Sequence, residues 1–232
     1  MTFISHLRSR TVTLWMLLVA LILSACGTLV QGVPGGAPIQ ATPGDAPTQE
    51  ASMFRANPAR TGVFPSDGPT TLSESVWTFK TDVRNVGFVS SPVIAGGMVY
   101  VGSLDNWLYA LDAETGQEKW SFKTDGAVVS SPAIADGVVY VGSGDGRLYA
   151  LDAGTGQEKW SFNTEGEVVS SPTIAGRVVY VGSNDGRLYA LDVETGQEKW
   201  RFKTGGPVAS SPAIAGRVVY FSSLDGYLYA VR

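Results

Sequence analysis

Short runs of alternating apolar and polar residues fill most of the chain, and they recur every 40 residues. The clearest unit, residues 138–160 (VVYVGSGDGRLYALDAGTGQEKW), returns at 178–200 and has an earlier copy at 98–120. A shortened copy, VVYFSSLDGYLYAVR, occupies residues 218–232. Such a fixed period indicates that each unit is a supersecondary element that must stack on its neighbours to bury its apolar face.

Each unit contains four runs that read as β-strands. In one unit they are VVSSPAIA (128–135), VVYVGS (138–143), RLYALD (147–152) and EKWSFNT (158–164). Their β-branched and aromatic residues, and the two-residue alternation of the last two runs, predict strands. Asp145-Gly146 and Thr155-Gly156 predict tight turns between them. Four short antiparallel strands per unit of about 40 residues predict the blade of a β-propeller, an all-β fold.

The two ends of the repeat region are both incomplete. An outer-strand sequence at 76–81 precedes the first full unit, and the last unit stops after its third strand, at 227–232. Together the two ends make one blade, so we expect about four blades, closed by pairing the N-terminal outer strand with the last blade. The alternatives are half of a larger ring, completed by self-association with a second copy, or a reading frame cut short.

The turn before each outer strand carries a motif that resembles a known family. Ala110-Leu111-Asp112, Thr115-Gly116 and Trp120 are similar to the tryptophan-docking motif of pyrroloquinoline quinone (PQQ) repeat propellers, and the copies at 150–160 and 190–200 match as well. That family includes quinoprotein dehydrogenases and BamB-like lipoproteins of outer-membrane protein assembly. The resemblance covers residues 53–232 and implies that the tryptophan stacks between blades while the aspartate and threonine fasten the turn. The residues assigned to structural docking are Trp77, Trp120, Trp160, Trp200, Asp112, Asp152 and Asp192.

Residues 1–26 have the pattern of an export signal. Arg8 and Arg10 precede an apolar core at 14–23, which is short for a membrane-spanning helix of about 20 residues. Leu-Ser-Ala-Cys, ending at Cys26, resembles a bacterial lipobox. It implies lipid attachment at Cys26 and an extracytoplasmic protein held in a bacterial membrane, the outer one if the cell has two. An ordinary secretory signal and an uncleaved anchor are the alternatives.

Three further segments follow the export signal. Residues 27–52, rich in Pro, Gly, Ala, Thr and Gln, predict a disordered tether. Residues 53–75 resemble the lead-in segment of exported PQQ-repeat proteins, and residues 76–232 hold the propeller repeats. Within the lead-in we interpret Arg55 and Arg60 as contacts to carbonyls and carboxylates rather than as a ligand-binding pair.

Charge and composition exclude several classes of function. Removal of the signal takes away two of 17 basic residues, so 15 remain against 21 acidic residues, a net charge of −6. This balance argues against nucleic acid as a partner. The sole histidine, His6, lies in the signal and Cys26 is the only cysteine, which excludes disulfides, Ser-His-Asp and Cys-His catalysis and His/Cys metal sites.

The recurring hairpin aspartates were the remaining metal candidates: Asp105, Asp145, Asp185 and Asp225. We interpret them as turn residues, because calcium needs six to eight oxygens converging on one ion. The dehydrogenases of the resembling family use adjacent cysteines, a calcium held by Glu and Asn, and an Asp base, and none of these can be placed here. No catalytic, metal or cofactor-binding residue is therefore predicted.

Departures from the repeat mark a predicted partner face. Between Trp77 and the first Ser-Ser-Pro step the spacing is three residues longer than in later blades, and Asn106-Trp107 replaces the usual Gly-Arg. Exposed aromatic residues with arginine are typical of binding hot spots. If the ring closes, the predicted face comprises Arg84, Phe88, Trp107 and Tyr227 on one rim. Ordinary loop drift is the alternative interpretation.

The predicted function is a membrane-anchored, non-catalytic scaffold that binds a protein partner in the cell envelope, as the resemblance to assembly lipoproteins implies. A quinone or other small-molecule binder, and a degenerate quinoprotein dehydrogenase, are the alternatives.

Overall fold

The computed structural model describes residues 52–53, 74–81, 83 and 86–232. These residues belong to one compact unit, 47–232. The predicted export signal, the lipid attachment at Cys26, Arg55, Arg60 and Arg84 lie outside the described residues, as do nearly all of the predicted tether and lead-in. Among the described residues, no helix is long and apolar enough to cross a membrane.

Every regular element in the described part is a β-strand. In chain order they are β1 (Ser52–Met53), β2 (Val93–Ala95), β3 (Met98–Gly102), β4 (Trp107–Asp112), β5 (Glu118–Lys123), β6 (Ala133–Ala135), β7 (Val138–Gly142), β8 (Arg147–Asp152), β9 (Glu158–Asn163), β10 (Thr173–Ala175), β11 (Val178–Ser183), β12 (Arg187–Asp192), β13 (Glu198–Lys203), β14 (Ala213–Ala215), β15 (Val218–Ser222) and β16 (Leu228–Val231). Blade 1 is β2 to β5, blade 2 is β6 to β9, blade 3 is β10 to β13, and blade 4 is the three-stranded sheet β14 to β16. The predicted blades of four antiparallel strands are thus confirmed.

Equivalent residues pair in the same register from blade to blade. Tyr140 faces Ala150 between β7 and β8, and Tyr180 faces Ala190 between β11 and β12. A register shift between Ala150 and Leu151 interrupts the pairing with the outer strand, and blades 1 and 3 repeat it. The repeated sequence therefore specifies a repeated register, including the irregularity at the outer edge.

The core lies between consecutive blades. Each blade has a rear face, turned toward the next blade in the chain, and a front face, turned toward the preceding one. The rear face of blade 2 is Ala133, Tyr140, Leu148 and Ala150, and the front face of blade 3 is Ile174, Val179, Val181, Tyr189 and Leu191. None of these residues is more than 5% exposed. Blades 1 and 2 meet through the equivalent residues. Apolar burial, at about 25 cal/mol per Å², therefore stabilises the stacking of one blade on the next.

The short strand β1 extends blade 2 at its inner edge. Ser52 and Met53 pair antiparallel with Ile134 and Ala133 of β6. Ser52 is the last residue of the predicted tether, so the described chain meets the innermost strand of blade 2 at the border between tether and lead-in.

The predicted closure of the ring is not observed in the described part of the chain. Residues 76–81 form no strand, and β16 pairs only with β15. The inner strands β2, β6, β10 and β14 contact one another in sequence, whereas no comparable contact joins β14 to β2. Trp77 and Phe79 instead pack on the front face of blade 1. Residues 76–81 thus contact the following blade as an outer strand would, but they pair with no strand of a preceding blade.

Candidate functional site

The docking tryptophans join neighbouring blades through a shared backbone acceptor. The carbonyl oxygen of Ala153 accepts a hydrogen bond from Nε1 of Trp120 at 2.9 Å and another from the hydroxyl of Tyr100 at 3.0 Å. Trp160 and Tyr140 donate in the same way to the carbonyl of Val193 in the next blade. Two side chains of one blade therefore hold one turn of the next.

A glycine and an aspartate shape the turn that receives each indole. Gly156 has φ +72°, and a Cβ there would lie 2.6 Å from the ring of Trp120. Oδ1 of Asp152 accepts hydrogen bonds from the backbone N–H and the hydroxyl of Thr155, both at 3.0 Å. Lys159 lies 3.6 Å from the other carboxylate oxygen. This turn is built for packing, and both carboxylate oxygens of Asp152 already have partners within it.

The same contacts lower the pKa of the turn aspartates. In Asp112 the hydrogen bonds from the Thr115 backbone and hydroxyl lower the carboxyl pKa to about 2. In Asp192 the hydrogen bond from Lys199 is the largest cause of a pKa of about 2. These carboxylates are ionised at neutral pH and occupied by their own turn, which makes them structural groups.

Trp200 differs from the other three docking tryptophans. Its side chain is 37% exposed, and its indole has no hydrogen-bond acceptor among the described residues. Its ring lies 5.7 Å from that of Tyr180 in its own blade, measured between centroids. The structure thus docks Trp77, Trp120 and Trp160 but leaves Trp200 at an open end.

The hairpin aspartates form tyrosine-bound turns rather than a metal site. Asp145 accepts the hydroxyl of Tyr149 at 2.7 Å, the N–H of Arg147 at 3.0 Å and the N–H of Asp125 at 3.1 Å. Burial and this carboxylate together raise the pKa of Tyr149. Tyr hydroxyls lie 2.6 to 2.7 Å from the other three hairpin aspartates. In the described part of the chain, no group of three or more His, Cys, Asp or Glu residues could hold a metal ion.

Two surface depressions occur on the described blades. One, of about 300 Å³, is lined by residues 144–146 in a hairpin of blade 2 and by residues 164–167 in the connection from blade 2 to blade 3. The other, of about 260 Å³, lies on blade 3 around Asp192 and Lys199, which form an ion pair at 2.9 Å. Both depressions open widely to solvent. The charged residues that line the first, Asp145, Glu165 and Glu167, are all acidic. Neither has the convergent, enclosed geometry of a small-molecule site.

The first blade carries a larger aromatic cluster than blades 2 and 3. The ring of Tyr109 lies 5.1 Å from Phe79, 6.2 Å from Phe88 and 6.4 Å from Trp107, between centroids. The ammonium group of Lys123 lies 5.8 Å from the centre of the Trp107 ring, within the range of a cation–π contact. We call Phe79, Phe88, Trp107 and Tyr109 the first-blade aromatic cluster.

This cluster extends a pair that the repeat already contains. Phe122 meets Tyr149 at 5.2 Å, and Phe162 meets Tyr189 at the same distance. Phe79 and Tyr109 are the equivalent pair in blade 1. The sequence did not mark these two residues as members of a cluster at the rim, because both occupy ordinary positions of the repeat. The constant spacing of phenylalanine and tyrosine in each unit is the signal that could have identified them.

The structure brings together some residues of the predicted partner face and separates others. Phe88, which is 39% exposed, and Trp107 both contact Tyr109. Tyr227 is 66% exposed and lies on blade 4, where its ring is 6.1 Å from that of Tyr229. It is not in contact with the first-blade cluster, because blade 4 does not meet blade 1 here. Arg84 falls outside the described residues.

Comparison with known proteins gives a consistent family assignment. Residues 71–171 and 125–232 match, as two overlapping copies, the family described as outer membrane protein assembly factor BamB. No curated protein sequence matches the chain significantly.

Solved structures that resemble the chain include assembly proteins, enzymes and designed proteins. BamB from Moraxella catarrhalis is 25% identical, with a TM-score of 0.54, over 58% of this chain and 46% of that one. The quinohemoprotein alcohol dehydrogenase ADHIIG from Pseudomonas putida HK5 is 26% identical, with a TM-score of 0.55, over 62% of this chain and 29% of that one. The computationally designed Ika4 protein, 19% identical, has a TM-score of 0.61 over 69% of this chain and 98% of its own, a likeness of fold alone. The match spans less than half the length of the M. catarrhalis BamB chain.

Proposed function

Because this chain belongs to the PQQ-repeat propeller family of the outer membrane protein assembly factor BamB, we propose that it is a membrane-anchored, non-catalytic scaffold for a protein partner in the cell envelope. The partner binds the first-blade aromatic cluster. Membership of an assembly-factor family supports a role in protein assembly, and the lipobox-like sequence at Cys26 supports a lipid anchor on the outer membrane.

The observation that carries this proposal is the replacement of Arg by Trp107 at the rim of blade 1. The equivalent position holds Arg147 in blade 2 and Arg187 in blade 3, and Arg187 is paired with Glu165 at 2.8 Å. Trp107 instead stacks on Tyr109 and lies beside Lys123. A partly exposed tryptophan held in place by neighbouring rings is the type of residue that dominates protein interfaces, because it gives a large contact area with little loss of side-chain entropy.

The residues of this chain do not fit the PQQ and calcium site of the family's dehydrogenases. The adjacent cysteine pair is absent from the sequence. The regularly placed carboxylates of the described blades are occupied by tyrosine hydroxyls, turn amides and lysines. A ligand would have to displace those contacts before it could be held, so we assign the repeated carboxylates to the fold and not to a cofactor.

A variant that restores the repeat residue provides the test. Trp107→Arg installs the side chain that blades 2 and 3 already carry at this position, so the blade is expected to keep its fold. Full-length protein is purified from envelope membranes after chemical cross-linking, and captured proteins are compared with wild type. We expect Trp107→Arg to lose a partner that the matched variant Arg147→Ala retains. Equal capture by both variants would remove the aromatic cluster from the proposal.

The non-catalytic part of the proposal has its own test. We expect no alcohol- or sugar-dependent dye reduction after the wild-type protein is incubated with PQQ and calcium. Stoichiometric PQQ uptake with dye reduction would replace the scaffold by an enzyme.

A further inference from the structure

The repeat leaves two unmatched faces, one at each end of the described blades. Among the described residues, no blade packs on the rear face of blade 4: Leu228 is 75% exposed and Tyr220 is 40% exposed. The equivalent Leu148 and Tyr140 of blade 2 are 0% and 2% exposed. Side chains that are buried at one junction therefore lie in solvent at the end of the array.

The front face of blade 1 is only partly covered. Trp77 and Phe79 bury most of it, but Ile94 is 61% exposed. The equivalent Ile134 and Ile174 are 4% and 5% exposed, because each packs on the rear face of the blade before it. Among the described residues, the front face of blade 1 has no rear face of another blade to pack on, and the rear face of blade 4 has no front face to pack on.

Blade 4 also lacks an outer strand among the described residues, and a segment with an outer-strand sequence precedes blade 1. The sequence WTFKT at 77–81 has the form of the outer-strand sequences, such as WSFKT at 120–124, yet it pairs with no strand in the described structure. β16 has the sequence of a third strand and pairs on one side only. An unpaired strand edge is a ready acceptor for another strand.

A ladder of serines along the inner strands is also open at both ends. The N–H of Ser91 donates to Oγ of Ser131, that of Ser131 to Ser171, and that of Ser171 to Ser211, each at 2.9 Å. The ladder runs in one direction around the inner edge. Within the described residues, the N–H of Ser211 has no acceptor and Oγ of Ser91 has no donor.

We propose that two copies of this chain join head to tail, so that the rear face of blade 4 in each copy packs on the front face of blade 1 in the other. Residues 76–81 of one copy then form the fourth strand of blade 4 in the other copy. A head-to-tail contact that closes with two copies forms a ring without exposed edges.

The register of the joined strands follows from the repeat. Leu108 faces Phe122 and Trp107 faces Lys123 between β4 and β5. The equivalent pairs across the junction are Leu228 with Phe79 and Tyr227 with Lys80. This register places Tyr227 of one copy on the same rim as Trp107 of the other, which the single chain does not do.

Two departures from the repeat, one in blade 4 and one in blade 1, would meet at the proposed junction and set the distance between its two faces. Gly102, Gly142 and Gly182 each lie against a valine of the next blade, and a Cβ at Gly142 would come within 2.5 Å of the Val168 side chain. Blade 4 has Ser222 at this position, and blade 1 has Phe88 where later blades have that valine. A wider gap accommodates the serine, and the larger phenylalanine fills it. This junction therefore differs from the three junctions within the chain.

Cross-linking with one engineered cysteine per chain tests the proposal. Lys80→Cys and Tyr227→Cys are co-expressed as separate full-length chains and analysed without reductant. We expect a disulfide-linked species of twice the chain mass, which each variant expressed alone does not give. Wild type, with Cys26 as its sole cysteine, shows any link that the native residue forms. The double variant Lys80→Cys/Tyr227→Cys in one chain separates the alternatives, because an intramolecular disulfide in a monomer would overturn the proposal in favour of a closed four-blade ring.

Light scattering of the full-length protein in detergent gives a second measurement. We expect twice the mass of one chain for wild type, and the mass of one chain for Leu228→Asp. Leu228 is exposed in the single chain, so this variant is expected to fold; a far-ultraviolet circular dichroism spectrum like that of wild type checks this point. A monomeric wild type that forms no intermolecular disulfide would overturn the proposal.

Discussion

Trp77 lies outside all four blades, yet its indole Nε1 donates a hydrogen bond to the carbonyl oxygen of Ala113 at 3.0 Å. Its ring lies over Gly116, where a Cβ would come within 2.6 Å. Trp120 makes the same two contacts with Ala153 and Gly156. The segment 76–81 is therefore held by the packing of Trp77 and Phe79 on blade 1, without the strand pairing that accompanies this contact elsewhere.

The loss of stability when each tryptophan is replaced by alanine should depend on how fully its indole is docked. Trp77→Ala and Trp120→Ala should each lower the free energy of unfolding by about 3 kcal/mol, since Trp to Ala changes in packed sites cost roughly 3–5 kcal/mol and these rings are partly exposed. Trp200→Ala should cost least, because its indole has no acceptor in the described chain. Denaturant titration of full-length protein followed by circular dichroism measures all three. An equal cost for Trp200→Ala and Trp120→Ala would contradict the ranking.

Two turn glycines allow the cost of backbone strain to be measured separately from the cost of a steric clash. Gly137 and Gly156 have nearly the same φ, +71° and +72°, but a Cβ at Gly137 would meet nothing within 4 Å. Gly137→Ala should therefore cost about 1–2 kcal/mol, the strain of a left-handed conformation. Gly156→Ala should cost more, because the ring of Trp120 must move. Gly154→Ala, in the same turn as Gly156 but without a positive φ, should be nearly neutral. Thermal unfolding of the three variants gives the order, and a smaller cost at Gly156 than at Gly137 would refute it.

Acid should weaken the blades through the turn aspartates. Hydrogen bonds and lysine partners hold the pKa of Asp112 and Asp192 at about 2, below the ordinary value of 3.8. A lowered pKa in the folded state stabilises the protein above about pH 4, and this contribution is lost as the pH falls from about 4 to about 2. We expect the melting temperature to fall over that interval, and to fall less in Asp192→Asn. Asp125→Asn, outside these turns, should keep the wild-type dependence; a loss equal in all three proteins would place the acid-sensitive groups elsewhere.

The lipid anchor can be tested without the blades. Cys26→Ser should leave an unprocessed precursor that takes up no labelled fatty acid, because the lipobox cysteine is both the attachment site and the cleavage boundary. Metabolic labelling followed by gel electrophoresis measures both properties. Cleavage at the same bond in Cys26→Ser would indicate an ordinary secretory signal instead.

Blade structure could be read from the sequence because each blade is a local product of one repeat. Strand periodicity, the Asp-Gly hairpins and the 40-residue spacing all lie within a single unit, and the structure confirms the sheets they predict. The relation of the last blade to the first could not be read in this way. It is set by small rotations accumulated over three junctions, and no single residue reports their sum.

The rim cluster illustrates the same limit. Trp107 and Phe88 stood out because they depart from the repeat. Phe79 and Tyr109 did not, since they obey it, although they provide the surface on which the other two lie. Whether such a pair is buried or at an open rim depends on the neighbouring blade, which the residues of one unit do not specify.

The constant sequence spacing of the inter-blade contacts has a consequence for how the chain can change. Serine partners are 40 positions apart. Trp120 and Trp160 are 33 positions from their acceptors, and Tyr100 and Tyr140 are 53 positions from the same acceptors. Trp77, which precedes the longer loop of the first blade, is 36 positions from its acceptor. Deleting or duplicating any segment of 40 residues within the array joins a blade to a neighbour that presents the same contacts. A deletion of one residue within a strand would shift the contacts of that blade with both of its neighbours. Whole blades are therefore the units that can be gained or lost. The array can lengthen or shorten by unequal recombination without requiring a new interface between blades.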